Sequence, residues 1–368
     1  MQEPIRVLHV FGGLSLGGAE SRVMDLYRHI DREKLQFDFL VHSAGEDYFD
    51  KELKELGGRI YRVPRFKFYN WLEYRKALKS FFSEHSEFRA VHGHMTSTAS
   101  IYLPIAKKTG IPITIAHARS AGVPAGIKGV LTKWLRRSLK NKTDYCLACS
   151  KEAGEAVFGK ECMRQGMVEV IPNAIAAPQY VYNPEMRRCM RQELQMEDKL
   201  IIGHVGSFRT PKNHVFLLKI FGEIRRRRED AVLLLLGEGE LQEKIKELAE
   251  REGLKESVLF LGNRSPVSDY YQAMDFLVFP SIFEGLPGTV IEAQTAGLRC
   301  LISDAISGEV KITDLVKAYS LEDSAAEWAE YVLANCEYER QSRLEEVSAA
   351  GFDISEQIKR YERIYGIQ

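Results

Sequence analysis

The sequence predicts an α/β protein of two doubly wound, Rossmann-like domains facing a central cleft. Three observations carry this reading. Short β-branched runs alternate with helical patterns, as in a parallel sheet covered on both faces. The alternation pauses once, at "VIPNAIAAPQYVYNPEM" (residues 170–186), and then restarts. The chain has 368 residues, 45% hydrophobic and 28% charged, which suits two domains with sizeable cores.

The first domain takes residues 1–178. It opens with "IRVLHVF" (5–11) as a buried strand and "ESRVMDLYRHI" (20–30) as an amphipathic helix. "FDFLV", "RIYRV", "AVHGH", "ITIAH" and "YCLAC" follow as strands, with helical stretches between most of them. The Pro- and Asn-rich stretch 170–186 is expected to be a linker. The second domain, 182–352, repeats the pattern with "IIGHVGSF", "AVLLLLGEG", "VLFLG", "FLVFPS" and "RCLISD" as strands. The last stretch, 353–368, is expected to be a helix packing back on the first domain.

Composition excludes several classes. No run approaches the ~18 apolar residues of a membrane span. "MQEPIRVLHVF" is too short and the wrong shape for a signal peptide, so a cytoplasmic protein is expected. Six cysteines in a chain this long make no disulfide framework, and the close pair Cys146/Cys149 has no second pair to complete a zinc site. Residues 1–178 carry 27 Lys and Arg against 19 Asp and Glu, and the remainder 24 against 32. From Phe88 to Thr143 there is no acidic residue. A basic half suggests a surface that meets something anionic; no nucleic-acid motif accompanies it.

In open α/β sheets ligands bind beyond the carboxyl ends of the strands, so the strand-to-helix loops are the places to look. "GGLSLGGAE" (12–20) has four glycines before a helix. A tight turn and a close approach to an anion both explain it. "HVGSFRTPKNH" (204–214) puts Arg209 and Lys212 at a helix start, where the helix dipole disfavours cations. A phosphate clamp explains that placement better than a surface loop. "PSIFEGLPGTVIEAQTAG" (280–297) holds Glu284 at a strand end and Glu292 eight residues on. On one continuous helix they would lie about 80° apart and face one cleft. Carboxylates bind vicinal hydroxyls, so the pair suits a ribose and a hexose flanking a phosphate site. "GNRSP" (262–266) follows another strand and suits a base. His92, His94 and His117 end two strands of the first domain. They read as structural histidines or, less readily, as a metal site.

These segments resemble the family 4 retaining glycosyltransferases of the GT-B fold, in the bacterial branch that builds capsular and exopolysaccharide repeat units. "GGAE", "VHGHM", "IAHARS", "VIPNAI", "FRTPKNH" and "FPSIFEGLPGTVIEAQTAGLRCLISD" carry the resemblance across nearly the whole chain. It implies a hexose or N-acetylhexosamine moved from a nucleotide sugar, UDP-linked, to a glycan or polyprenyl-linked acceptor. It implies Glu284 on hydroxyls of the donor sugar, Glu292 on the ribose, and His117 beside the anomeric carbon. Amides around Leu286–Thr289 meet the diphosphate, which Arg209 and Lys212 neutralise, within a donor site lined by Gly285, Leu286, Pro287, Gly288 and Thr289. Gly17 and Gly18 close on the β-phosphate, and Gly206, Asn263 and Arg264 complete the nucleotide site. No metal or other cofactor is implied, and configuration is retained. Three positions depart from the family: Ser207 where many members have Arg, Gly288 for an aliphatic, and Ala174 for Gly. Arg209 is taken to serve for the missing arginine.

A nucleotide-sugar 2-epimerase and a non-catalytic GT-B subunit share this fold. The first lacks its motifs here, and intact Glu284, Glu292, Arg209 and Lys212 speak against the second. The phosphate loops speak against a glycoside hydrolase. Finally, "KGVLTKWLRRSLKNK" (128–142) spaces Leu131, Trp134, Leu135 and Leu139 helically, with Lys128, Lys133, Arg136, Arg137, Lys140 and Lys142 around them. A basic amphipathic helix on an anionic membrane surface is expected, attached peripherally to the inner face of the cell membrane.

Overall fold

The computed structural model describes residues 3–15, 18–120, 122, 126–284 and 286–367. They form two compact units, one of residues 1–173 with 354–368 and one of 174–353.

The first unit holds seven parallel strands: β1 (Ile5–Phe11), β2 (Leu35–Val41), β3 (Ile60–Arg62), β4 (Phe88–Gly93), β5 (Ile113–Ala118), β6 (Tyr145–Ala148) and β7 (Val168–Val170). Their order across the sheet is β3-β2-β1-β4-β5-β6-β7. The second holds six: β8 (Leu200–Val205), β9 (Ala231–Leu236), β10 (Val258–Gly262), β11 (Phe276–Phe279), β12 (Cys300–Ser303) and β13 (Val316–Tyr319). They run β10-β9-β8-β11-β12-β13, all parallel.

Helices cover both faces of each sheet, which is why the strands read as continuous apolar runs. β9 is "AVLLLL" and is buried throughout. Its side chains alternate between two cores. Leu234 and Leu236 join Ile201, Leu277 and Phe279 on one face. Leu233 and Leu235 join Ile202, Phe276 and Val278 on the other. In each unit the strand order reverses direction once, beside β1 and β4 or beside β8 and β11. At such a switch point the loops diverge and leave a crevice at the carboxyl ends of the strands.

The stretch read as a linker is ordered and packed. Val168–Val170 is the edge strand β7. Ile175 and Ala177 are buried, and the Ile175 amide donates to Phe352 O at 2.8 Å. The helix Pro184–Glu193 is capped by Asn183, whose Oδ1 accepts from the amides of Glu185 and Met186 at 2.9 and 3.1 Å. Residues 174–178, grouped on sequence with the first domain, therefore pack with the second. The C-terminal helix Ile354–Tyr365 packs in the first unit. There Arg89 Nε donates to Tyr365 O at 3.1 Å, and Gln357 Nε2 to Pro172 O at 2.5 Å.

Candidate active site

The loops at the β8/β11 switch point are hydrogen-bonded into one assembly. Beyond the strand ends, Gly206 N donates to Leu236 O (2.9 Å), Phe208 N to Glu238 O (3.1 Å) and Gly237 N to Gly262 O (2.9 Å). The backbones run so close that a Cβ on Gly237, whose φ is +128°, would lie 2.2 Å from Gly206 O. Only glycine fits there. A cavity of about 250 Å³ opens among Gly206, Ser207, Gly237, Glu238, Asn263 and Arg264. Asn263 Nδ2 donates to Glu238 Oε2 at 3.0 Å on its wall. Three of these residues were candidates on sequence. Glu238 was missed, although "LGEGE" after a buried strand carried the same signal as the other loops.

Lys212 and Glu284 meet directly. Nζ and Oε1 are 2.6 Å apart, and Nζ also lies 4.6 Å from the centroid of the Phe279 ring. The two loops are tied by the Ile282 amide, which donates to Pro211 O at 2.8 Å. Glu284 is itself held as a parallel bridge partner of Ile306. Arg209 stands apart, with an exposed side chain.

The helix of this loop is Gly288–Thr295, capped by buried Pro287. Glu284 precedes it, so the one-helix geometry used on sequence to align the two glutamates does not apply. They take different partners. Glu292, half-buried, accepts from Tyr271 Oη at 2.8 Å. Burial first, and the Glu292 carboxylate second, hold the Tyr271 phenol well above its ordinary pKa of 10, so it stays a donor. Thr289 Oγ1 donates to Val205 O at 3.3 Å and pins the helix start to the end of β8. Leu286 and Gly288 are half-buried beside it. Gly285 lies outside the described residues, as does Gly17. A Cβ on Gly18 would meet nothing within 4 Å, so no packing demands glycine there.

The first unit gathers histidines at its own switch point. His9, His92 and His94 bring three ring nitrogens within 4.8 Å of one another, and His117 Nδ1 lies 3.0 Å from His92 Nε2. His9 was not singled out on sequence. Sheet order decides the grouping, since His9 on β1 pairs with His92 on β4. The hydrogen-bonded pairs His9/His94 and His92/His117 lie nearly coplanar and edge to edge, their facing nitrogens 3.0 Å apart. His9 and His94 are 7° from parallel, and His92 and His94 21°. Arg119 Nε sits 3.1 Å from His94 Nδ1. The three nitrogens lie close enough together to hold an ion, and His94 is also hydrogen-bonded to His9 and to Arg119. Burial holds all four histidines well below 6.5, and the Arg119 charge adds to it. His117 is fully buried, so a ligand reaches it only if its cover moves.

The model of glycosyl transferases group 1 matches residues 186–345, and that of Glycosyltransferase Family 4 matches 16–177. EpsF of Bacillus subtilis (strain 168), which bears the name of a glycosyltransferase, is 33% identical over 98% of this chain and 96% of its own. The chain belongs to the family 4 glycosyltransferases. CapH of Staphylococcus aureus, named a capsular polysaccharide biosynthesis glycosyltransferase, is 24% identical over 87% of this chain and 86% of its own. HepE of Anabaena, solved with UDP, superposes with a TM-score of 0.74 at 16% identity, covering 99% of each chain. WaaG, a GT-B neighbour from lipopolysaccharide biosynthesis, gives 0.62 at 16% identity, covering 99% of this chain and 97% of its own.

In this glycosyltransferase the helix read as 128–142 runs Ile127–Arg137, followed by a 3-10 turn, Leu139–Asn141. Its faces differ from the sequence reading. Leu135 and Leu139 are buried, as expected of an apolar stripe, but so is Arg136. Burial lowers the pKa of Arg136, and its Nε and Nη1 have no hydrogen-bond partner among the described residues. Arg136 is therefore not a surface cation. Lys140 is half-buried, with Nζ 3.4 Å from Cys162 Sγ. The outward face is Val130, Lys133, Trp134 and Arg137, spaced i, i+3, i+4, i+7, with Trp134 67% exposed. Trp71 shares a cavity of about 410 Å³ with Trp134 and begins a second exposed apolar stretch with Leu72, 82% exposed. No helix of the described residues is long and apolar enough to cross a membrane.

Proposed function

We propose that this glycosyltransferase moves a hexose or N-acetylhexosamine from a UDP-linked sugar to a glycan or polyprenyl-diphosphate-linked acceptor in surface polysaccharide synthesis. The observation that carries it is the Lys212–Glu284 pair at the β8/β11 switch point, beside the start of the helix Gly288–Thr295 and the Glu238/Asn263/Arg264 cavity. The base lies in that cavity and the ribose on Glu292. The diphosphate lies at the helix start, where amides and the dipole favour anions. Lys212 has three donors, so it holds Glu284 and a phosphate oxygen together. Glu284 in turn accepts from hydroxyls of the sugar. As the glycosidic bond breaks, negative charge grows on the diphosphate. Lys212 and the helix amides are already aimed at it, which is where preorganised electrostatics lowers a barrier most.

The relatives support the substrate class. One Escherichia coli relative, 22% identical over 82% of this chain, is named as a UDP-Gal:alpha-D-GlcNAc-diphosphoundecaprenol alpha-1,3-galactosyltransferase. Retention of configuration and independence of metal belong to the proposal. A carboxylate already paired with lysine is a poor nucleophile and a poor cation ligand, so Glu284 positions the sugar. The acceptor attacks from the side the leaving group departs.

Peripheral attachment to an anionic bilayer is the second part. The face Val130–Lys133–Trp134–Arg137 mixes apolar and cationic groups, as interfacial helices do, and supports it.

A thermal-shift panel of UDP, GDP, ADP and CMP tests the donor. A ligand at 100 times its Kd stabilises by about 2.7 kcal/mol. Stabilisation by GDP and not UDP overturns the UDP assignment. Loss of transfer in EDTA that magnesium restores overturns metal independence.

A further inference from the structure

Two hydrogen-bonded chains run through the histidine cluster of the first unit, and each has a direction. A guanidinium only donates, so Arg119 Nε–H donates to His94 Nδ1 at 3.1 Å. A neutral imidazole carries one proton, so His94 is protonated on Nε2. That Nε2–H donates to His9 Nδ1 at 3.0 Å. The proton of His9 is left on Nε2, which is buried and has no partner among the described residues.

The second chain starts on the C-terminal helix. Tyr365 Oη lies 2.7 Å from His92 Nδ1, and His92 Nε2 lies 3.0 Å from His117 Nδ1. His117 Nε2 is buried and has no partner among the described residues. Two directions are open. If His117 donates to His92 and His92 to Tyr365, the phenol proton and the His117 Nε2 lone pair are both stranded. If Tyr365 donates to His92 and His92 to His117, only the His117 Nε2–H is stranded. Buried polar groups left unmade are expensive, so the arrangement with one is favoured over that with two. Burial keeps the imidazoles neutral, so neither chain is broken by an extra proton near neutral pH.

We propose that Tyr365, acting through His92, is a positioning residue that fixes His117 as its Nε2–H tautomer. His117 then offers a hydrogen-bond donor to an oxygen of the ligand, a hydroxyl or a phosphate oxygen, and is not a general base. The role in the reaction rests on the donor site proposed above; the tautomer does not. The unsatisfied N–H is the reason an oxygen is drawn there. The relay also gives the helix Ile354–Tyr365 a part in the chemistry, across 248 residues of sequence from His117 to Tyr365.

The test is a long-range proton–nitrogen correlation spectrum of the full chain with 15N-labelled histidine, without ligand. The His117 signal is assigned by its loss in His117→Phe. The expected result is a protonated Nε2 and an unprotonated Nδ1 on His117, with the same pattern on His9. In Tyr365→Phe, which removes one oxygen and keeps the ring stacking, a fraction of His117 is expected to shift to Nδ1–H. His92→Phe interrupts the relay in the middle and is expected to do the same, should Tyr365→Phe fold poorly. A protonated Nδ1 on wild-type His117 overturns the proposal. So does an unchanged Nε2–H in both variants. Adding UDP-glucose then separates the two readings. Movement of the His117 Nε2–H signal supports the contact with the donor. Binding without movement removes that contact and leaves the relay standing.

Discussion

Lys212 and Glu284, 72 residues apart in sequence, form a 2.6 Å ion pair with side chains only 16% and 22% exposed. Each arrives on its own strand-to-helix loop, and the loops are joined by Ile282 N to Pro211 O. A lysine at a helix start is unfavourable alone. Here Glu284 offsets it, and a diphosphate would do so more fully.

Lys212→Met is expected to weaken UDP binding by about 10- to 150-fold, the worth of a hydrogen bond to a charged group (~1.5–3 kcal/mol). Glu284→Gln is expected to leave UDP affinity within a few-fold and to lower turnover instead. Calorimetry with UDP separates them. Wild-type affinity in Lys212→Met would sink the phosphate role.

Glu292→Ala is expected to lose about the same affinity for UDP, because the ribose loses its acceptor and Tyr271 Oη keeps only the longer bond to Thr289 O at 3.4 Å. Tyr271→Phe keeps the carboxylate and loses only its orientation, so about a tenfold loss or less is expected. If Tyr271→Phe is the worse of the two, Glu292 does not hold the ribose.

Gly237→Ala places a Cβ 2.2 Å from Gly206 O at a φ of +128°. The backbone of two loops must move, and a cost of about 1–3 kcal/mol is expected. The melting temperature should fall and UDP should bind more weakly. Gly18→Ala meets nothing and should leave stability unchanged.

For the membrane, Lys133→Glu/Arg137→Glu should abolish sedimentation with anionic vesicles, each cation being worth about 1 kcal/mol at the surface. Trp134→Ser should weaken it without changing its salt sensitivity. Equal binding by wild type and the double variant would refute the attachment. Arg136 is excluded from this test because it is buried, and Arg136→Glu should destabilise the first unit.

Stability should fall in mild acid. Burial holds His9, His92, His94, His117 and His204 well below 6.5, and His214 at about 4. Below pH 6.5 the unfolded chain takes up protons on these residues and the folded chain does not. Their contribution is complete above pH 6.5 and is lost as pH falls from there, toward about 4 for His214. Each histidine removes up to about 1.4 kcal/mol per pH unit. Urea unfolding at pH 7.5, 6.5 and 5.5 measures it. A curve flat between 6.5 and 5.5 contradicts the neutral, buried histidines on which both chains of hydrogen bonds depend.

The sequence by itself determined the layered α/β architecture, because strands buried on both faces must be apolar without interruption and helices between them must be amphipathic. Eleven of the described strands, β7 and β13 excepted, answer to runs legible in this way. It also pointed to the loops after β8, β10 and β11, which the structure ties together by hydrogen bonds, since glycine, proline and charge at strand ends have few structural uses. Two edge strands escaped because a charged residue interrupts their apolar run: β7 is "VEV" and β13 is "VKAY". Only the tertiary structure decided who meets whom. A helical wheel turned Arg136 outward, but the wheel does not know which side the sheet lies on. The spacing of Glu284 and Glu292 suggested one shared helix, but the helix begins at Gly288 and each carboxylate finds a different partner. His9 joined His92 because parallel order sets β1 beside β4, and Tyr365 joined them because the last helix packs in the first unit. Such contacts depend on strand order and chain return, which no local pattern encodes.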